Sequence, residues 1–309
     1  MKNTIFVLLA LGILLSGCKY SDEYLNPHLD KSKAYFASPV MYTRTVIVGE
    51  PLTFKIGAAV AYDATHAAKY TIDYRISTFP IAASTGRVAL PLDYFNYNSM
   101  TPTVKTTVAS GELLGLFPVM LDSAKFLSDP LSLTGKYAIP VIIASTSCDT
   151  IDQALDSVMV LVKYMAGVDG YYLYNSTIKK EIGGAIIDSK TVADNYPNES
   201  DAYCWRLTTK GPYTVEAVSP TAAFTVGSRF NLTVIASTLT YVSGTGQTFV
   251  TPESTNSYNP KTRDFTINYS YKKTALNDTI YHVSANWIFR NRMVDGINQT
   301  RAYLSALNK

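Results

Sequence analysis

The sequence contains few of the residues that build catalytic and metal centres. Among 309 residues there are three histidines and three cysteines. His28, His66 and His282 lack the spacing of metal ligands, and no His-Glu-x-x-His or Gly-x-Ser-x-Gly stretch occurs. The sequence therefore predicts no metal site, no cofactor and no catalytic residue set, and we expect a protein that is not an enzyme.

A pair of carboxylates is harder to exclude, because a glycosidase needs only two, which the fold brings together. Asp188, Asp194, Glu199 and Asp201 are candidates only because they lie near one another in sequence. Their simpler interpretation is solvated loop charge. A glycoside hydrolase without a sequence signal stays open as an alternative.

Charge is also scarce. Charged residues make up 17% of the chain, below the usual quarter or so, and 27 basic against 24 acidic residues leave a net charge of +3. A chain so near neutrality gives no electrostatic reason to expect a nucleic acid or an anionic membrane surface as partner. We predict that it does not bind nucleic acid.

No hydrophobic run is long enough to span a bilayer. After Lys2, the apolar run from Ile5 to Leu15 is about eleven residues long, which is typical of the hydrophobic region of a signal peptide. The segment LSGC at residues 15–18 resembles the lipobox of bacterial lipoproteins. This resemblance implies cleavage before Cys18 and acylation of that cysteine, so that residues 1–17 are a signal peptide and the lipid bilayer is a partner. A plain signal peptide with an incidental cysteine is the alternative.

The residues after Cys18 refine the predicted location. Ser21, Asp22 and Glu23 resemble the acidic export signal of surface lipoproteins in the Bacteroidetes. The resemblance implies an outer-membrane lipoprotein exposed at the cell surface. The polar, aperiodic stretch that ends at residue 34 predicts a tether over residues 18–34.

Two further cysteines, Cys148 and Cys204, lie far apart in sequence. A disulfide between them is open in an oxidising compartment. Because they fall in different predicted domains, we expect two buried thiols instead.

Tyrosine is abundant, with 23 residues against 12 phenylalanines and 2 tryptophans. Tyr, Thr and Val favour pleated, half-exposed surfaces, so the composition predicts an all-β protein. Residues 35–165 contain about seven short alternating runs, with an irregular or briefly helical crossover from Asp122 to Leu131, and this pattern favours an immunoglobulin-like β-sandwich. The stretch from Met165 to Gly170 reads as a hinge.

Residues 168–309 predict about eight antiparallel strands, enough for a barrel that holds side chains or one small ligand. The clearest pair runs from Asp264 to Tyr271 and from Thr279 to Arg290. The parity of the last strand places Tyr281, Val283, Ala285, Trp287 and Phe289 on one side.

Both halves resemble domains of Bacteroidetes lipoproteins. The first carries PLDYF at 91–95, VKTTVASG at 104–111 and KYAIPV at 136–141, and it resembles the DUF1735 domain. The second carries GYYL at 170–173, DNYP at 194–197 and YCWR at 203–206, and it resembles the DUF4361 domain. The resemblance implies an immunoglobulin-like sandwich, then a lipocalin-like antiparallel barrel. It also implies a partnership with outer-membrane transporter proteins that take up glycans.

The candidate ligand-binding residues are aromatic side chains and a polar neighbour: Tyr203, Trp205, Arg206, Tyr258 and Trp287. Sugars stack on Trp or Tyr rings, which combine an apolar face with a polar handle. Most such rings belong to a hydrophobic core, and we expect a core position for both Trp205 and Trp287 before a ligand-binding one. The function we expect is carbohydrate or glycoconjugate binding, at the barrel's open end or at the domain junction. An adhesin or assembly component that binds another protein is the alternative.

Overall fold

The computed structural model describes residues 31–37, 41–62, 68–76, 85–96, 103–193, 204–220, 229–242, 249–272 and 278–307. The chain is almost entirely β, which confirms the predicted class. Over these ranges, no helix combines the length and apolar character needed to cross a membrane.

The N-terminal half is a sandwich of two sheets. Its strands are β1 (Lys33–Tyr35), β2 (Met41–Ile47), β3 (Thr53–Ala61), β4 (Tyr70–Ile76), β5 (Val88–Ala89), β6 (Thr103–Val108), β7 (Leu114–Met120), β8 (Tyr137–Thr146), β9 (Thr150–Ile151) and β10 (Ser157–Met165). One sheet has the order β7-β3-β1-β9, and the other has the order β2-β10-β8-β4-β6, with β5 beside β8. The predicted helical crossover is confirmed as α1 (Ser123–Ser128) and α2 (Leu131–Thr134).

The two sheets bury one shared core, because their strands alternate in burial. In β7, Gly115, Phe117 and Val119 face inward while their neighbours face out. The buried Tyr74 hydroxyl accepts a hydrogen bond from the Ala58 amide at 2.8 Å and donates one to the Gly115 carbonyl at 2.5 Å. Burial raises the pKa of Tyr74 to about 12, so the hydroxyl remains a neutral link between the two sheets.

The C-terminal half is one strongly curled sheet. Its elements are β11 (Gly170–Ile182), β12 (Ala185–Ala193), β13 (Trp205–Thr209), β14 (Thr214–Val218), β15 (Arg229–Ile235), β16 (Thr238–Val242), β17 (Phe249–Pro252), β18 (Ser257–Asn259), β19 (Asp264–Lys272), β20 (Thr279–Val294), β21 (Ile297–Thr300) and α3 (Arg301–Leu307). The order β16-β15-β14-β13-β11-β20-β19-β17 forms an eight-stranded, nearly closed barrel. The predicted barrel is confirmed, but the chain continues past the β19–β20 hairpin into β21 and α3.

Aromatic side chains fill the barrel interior. The predicted parity of β20 is confirmed, since Val283, Ala285, Trp287 and Phe289 are all buried. Trp287 stacks on Trp205, with ring centroids 4.4 Å apart. Around this pair lie the buried rings of Tyr172, Phe230, Phe265 and Tyr269. At this level the barrel interior is a packed core.

The expected hinge is instead a packed junction. Ala166 and Val168 are buried, and the Val48 amide donates to the Met165 carbonyl at 2.9 Å. The Asp169 carboxylate accepts from the backbone amide and the hydroxyl of Thr209, at 2.7 and 2.6 Å. These bonds tie the connecting segment to both halves, so the hinge interpretation was wrong.

Cys148 lies in the sandwich, and Cys204 lies in the barrel half, immediately before β13. Both side chains are buried and neither is in a disulfide, and Nη1 of Arg290 donates to Cys204 Sγ at 3.2 Å. The expectation of two separate thiols is confirmed.

Candidate functional site

The two tryptophans named as candidates lie in the barrel core. Trp205 is 2% exposed and Trp287 is 0% exposed. Each ring packs against the other and against Phe230. Since neither ring face is open to solvent, both residues pack the core in this conformation, and neither is available for stacking on a sugar. Because side chains alternate along β13, Trp205 points into the barrel and Arg206 points out of it.

Arg206 lies at a separate surface cleft. Its guanidinium lies over the ring of Tyr171, 5.5 Å from the centroid. With Asp169, Thr208 and Met293 it lines a cleft of about 400 Å³ on one side of the junction. Tyr203, the residue two positions before Trp205, lies outside the described residues.

Among the predicted residues that the structure describes, Tyr258 is the one that lines a second cleft between the two halves, which is larger than the cleft at Arg206. Its ring packs on Phe265, with centroids 4.7 Å apart. Burial raises the pKa of the Tyr258 hydroxyl, which keeps it a neutral donor and acceptor.

We call this larger space the junction cleft. Its volume is about 480 Å³. The turn from Val48 to Pro51 supplies its sandwich wall, and Ala166, Gly167 and Val168 supply its floor. The barrel wall consists of Pro212, Tyr213, Val234, Ala236, Tyr258, Pro260, Arg263 and Leu304. Tyr213 is 49% exposed, so it presents a free aromatic surface to this space.

Charged side chains lie at the rim of the junction cleft. One oxygen of Glu50, Oε1, accepts from Nη2 of Arg263 at 2.8 Å and from Nη2 of Arg292 at 2.9 Å. The Arg292 side chain is 1% exposed, and its Nε donates to Gln299 Oε1 at 2.7 Å. Burial raises the pKa of the Glu50 carboxyl, the bonds from Arg292 and Arg263 lower it more, and the net pKa is below its usual value. Glu50 is therefore an anion that holds two cations across the junction.

Backbone geometry positions Arg263 at this rim. Its amide donates to the Asn259 carbonyl at 2.7 Å, and its φ is +63°. A non-glycine residue in this left-handed region costs about 1 kcal/mol or more. The β18–β19 turn holds Arg263 in this conformation, with its guanidinium 5.5 Å from the centroid of the Phe289 ring.

An exposed tyrosine that lines the same cleft as a fixed carboxylate and guanidinium can bind a polar ring compound. The ring face takes the C–H surface of the ligand, and the charged groups take its hydroxyls. Sequence reasoning missed Tyr213, Glu50 and Arg263. The turn residues Gly211-Pro212 and Gly49, which place the following side chain at a surface, are signals that could have found Tyr213 and Glu50.

Of the four carboxylates proposed for a hydrolase, the structure describes one. Asp188 is exposed on the edge strand β12. Asp194, Glu199 and Asp201 lie outside the described residues. Within the described part of the chain, no three His, Cys, Asp or Glu residues are grouped as a metal site would require.

His282 bridges two strand ends of the barrel. Its Nδ1 lies 2.7 Å from Glu253 Oε1, and its Nε2 lies 2.8 Å from Glu181 Oε2. Burial lowers the pKa of His282, but the bonds to the two carboxylates raise it more, and the net shift is upward. Because each ring nitrogen faces a carboxylate, the arrangement favours the imidazolium.

Comparison with known proteins gives structural likenesses only. No protein-family profile matches the chain, and no curated protein matches it. A Bacteroides ovatus protein of unknown function is similar in structure, with a TM-score of 0.60 and 15% identity over 87% of this chain and 97% of that one.

Two more Bacteroides ovatus structures are similar at lower scores. One is of unknown function, with a TM-score of 0.37 and 10% identity over 86% of this chain and 96% of that one. The other is a multidomain protein including DUF1735, with a TM-score of 0.36 and 11% identity over 86% of this chain and 96% of that one. The likeness at a TM-score of 0.60 shows that this chain shares its all-β fold over 87% of its length with a protein of unknown function.

Proposed function

We propose that this chain is a non-catalytic lipoprotein of the outer membrane, exposed at the cell surface, that binds carbohydrate or glycoconjugate beside a glycan-uptake system. Its two halves are proposed to be a DUF1735-like and a DUF4361-like domain. The observation that carries the binding function is the junction cleft, where the exposed Tyr213 lies near the ion pair between Glu50 and Arg263.

The cleft supplies both kinds of contact that a sugar needs. Tyr213 offers an aromatic face at low conformational cost, since a tyrosine has only two side-chain torsions to fix. Glu50 accepts hydrogen bonds from sugar hydroxyls through its second oxygen, and Arg263 is already oriented by its bond to Glu50. The packed junction keeps both walls in place before the ligand arrives, which reduces the entropy lost on binding.

A glycan array with soluble protein of residues 19–309, followed by isothermal titration of the bound glycans, tests this function. We expect Tyr213→Ala to weaken binding by about tenfold or more, as removal of a central aromatic anchor does. Tyr303→Ala is the matched control, because Tyr303 is 37% exposed and does not line the cleft. Absence of binding to every host and dietary glycan would refute the function.

Membrane attachment is tested separately. In the native bacterium, Cys18→Ser is expected to move the protein from the membrane fraction to the soluble fraction, because the acyl chains supply the anchoring energy. Equal membrane retention of the Cys18→Ser variant and the parent protein would contradict lipidation. Protease treatment of intact cells then tests surface exposure.

The non-catalytic part of the proposal has its own test. Labelled polysaccharide should release no product when it is incubated with the protein. Product release that is lost in Asp188→Asn or Asp201→Asn would establish a hydrolase instead.

A second candidate function, binding to another protein, is favoured by the outer face of β7. Leu114, Leu116 and Met120 are 50%, 42% and 50% exposed, and Pro118 is exposed between them. Among the described strands, β7 is also the edge of its sheet. Exposed apolar edge strands are common contact surfaces, and the partner expected here is an outer-membrane transporter protein.

A pull-down from outer membranes separates the two functions. Capture of a transporter protein without added glycan, lost in Leu116→Asp but retained in Ile235→Asp, would favour assembly. Ile235 is the matched control because it is 58% exposed and lies in the other half of the chain.

A further inference from the structure

A second space adjoins the junction cleft and is lined by cations. Its volume is about 510 Å³. Among the residues that the structure describes, Lys261, Arg263 and Arg301 line it, and no acidic residue does. We call it the cationic cleft. It shares Pro260, Arg263 and Leu304 with the junction cleft, so the two spaces meet along the Arg263 side chain.

The positive charge around the cationic cleft is only partly neutralised. Arg301 is bonded to Asp264, while Arg263 and the buried Arg292 share Glu50. Lys261 is exposed and forms no ion pair with any residue in the described ranges. Three of these four cationic side chains therefore pair with two carboxylates and Lys261 pairs with none, in a chain whose overall charge is only +3.

Two buried guanidinium nitrogens in this cluster have no hydrogen-bond acceptor among the described residues. Nη2 of Arg263 donates to Glu50, but its Nη1 is buried and has no acceptor among the described residues. Nη1 of Arg292 is in the same state. A charged donor without an acceptor is costly in a buried setting, so a small anion beside Arg263 is a favourable addition to this cluster.

We propose that the cationic cleft recognises an acidic substituent, a carboxylate or a sulfate, on a glycan whose neighbouring sugar ring lies against Tyr213 in the junction cleft. The ligand class is therefore an acidic polysaccharide. This inference rests on the proposed carbohydrate-binding function and adds the charge of the ligand to it. Lys261 and Arg301 supply the attraction, and Arg263 connects the subsite of the charged group to that of the ring.

The electrostatics of the cleft support a charge-dependent mode of binding. Guanidinium groups pair with carboxylate and sulfate oxygens through short, charge-assisted hydrogen bonds. Lys261 and Arg301 lie at the surface, since both are exposed. Their contribution should therefore weaken as salt shortens the screening length from about 10 Å at 0.1 M to about 3 Å at 1 M.

The test uses an array of matched glycan pairs and soluble protein of residues 19–309. The pairs are chondroitin sulfate with its desulfated form, desulfated chondroitin with its carboxyl-reduced form, and polygalacturonate with its carboxyl-reduced form. The first pair isolates the sulfate, and the other two isolate the carboxylate. We expect the acidic member of at least one pair to bind about tenfold more tightly than its partner, a difference of about 1.4 kcal/mol, and to lose this advantage at high salt.

Variants locate the effect in the cationic cleft. Lys261→Gln should remove most of the preference for the more acidic member of a pair while leaving the affinity for the carboxyl-reduced, neutral glycans unchanged. Lys136→Gln is the control, because it changes the net charge equally at an exposed lysine in the sandwich half, outside this cleft. Arg301→Gln should act in the same direction as Lys261→Gln.

The outcomes separate this inference from the function on which it rests. Equal binding of the two members of every pair, or an acidic preference that survives both Lys261→Gln and Arg301→Gln, overturns the acidic-ligand inference and leaves carbohydrate binding intact. Absence of binding to any glycan on the array overturns both. Unchanged binding of the neutral partner confirms that each variant is folded.

Discussion

Replacing Glu50 with alanine should destabilise the whole chain, because Glu50 is an anion that links the sandwich to the barrel. Its Oε1 accepts from Arg263 and Arg292. The Arg292 side chain is 1% exposed, so it has almost no access to water once Glu50 is gone. Glu50→Ala therefore leaves one guanidinium buried without an anionic partner.

The size of the effect follows from the exposure of the two partners. Removing one partner of a fully buried ion pair costs about 3–5 kcal/mol. Glu50 itself is 45% exposed, so water screens part of the interaction, and we expect a loss of about 2–3 kcal/mol in the free energy of unfolding. Glu50→Gln keeps an oxygen acceptor and should cost less. Because the pKa of Glu50 is lowered in the fold, its contribution is present above the unfolded pKa and is lost as the pH falls through the folded pKa.

Urea unfolding followed by tryptophan fluorescence measures this loss, since both tryptophans lie in the barrel core. Asp93→Ala is the control, because Asp93 pairs with Lys125 at the surface, where both side chains are well exposed, and its removal should change nothing measurable. A Glu50→Ala variant within about 0.5 kcal/mol of the parent protein, the range typical of surface substitutions, would refute the reasoning about the junction.

Three other perturbations test separate parts of the fold. The pKa of His282 is raised in the folded protein. Protonated His282 therefore stabilises the fold at a pH below its unfolded pKa, and this stabilisation is lost as the pH rises through its folded pKa. His282→Asn should accordingly lower the melting temperature more at pH 6 than at pH 9. A Cβ on Gly57 would lie 2.0 Å from the Gly115 carbonyl oxygen, so Gly57→Ala should separate β3 from β7 and lower the melting temperature by about 5 °C or more. Gly211→Ala is the control and should have little effect, because a Cβ there would lie 3.7 Å from the nearest atom, the Cβ of Thr214. Hydrogen bonding to Arg229 lowers the pKa of Glu216 to about 2. Glu216→Gln should therefore reduce the free energy of unfolding by about 1–2 kcal/mol at pH 7. Denaturant unfolding at a series of pH values should show this difference shrinking as the pH falls toward 2.

The sequence alone predicts the elements and faces that depend on local alternation. The run from Thr279 to Arg290 places Trp287 and Phe289 on the buried side because side chains alternate across a strand. The same rule separates Trp205 from Arg206. Strand alternation predicts which side of the sheet a side chain occupies, but not what packs against it. The sequence therefore could not show whether Trp205 and Trp287 face a ligand space or, as in the structure, stack on each other.

The binding site could not be predicted in the same way, because its residues come from distant segments. Glu50, Tyr213 and Arg263 lie in three turns, and each turn is recognisable in sequence. Their meeting depends on how the sandwich packs against the barrel, which no local pattern encodes. The expected hinge failed for a related reason: Gly167 and Gly170 suggested freedom, but the burial of Ala166 and Val168 and the Asp169 hydrogen bonds fix the segment.

A crystal structure of residues 19–309 with an array-selected glycan is the most direct measurement of the central claim that the junction cleft binds carbohydrate. The expected structure has a sugar ring against Tyr213, with hydroxyl groups within hydrogen-bond distance of Glu50 and Arg263. An ordered glycan bound at another surface while the junction cleft stays empty would contradict the claim.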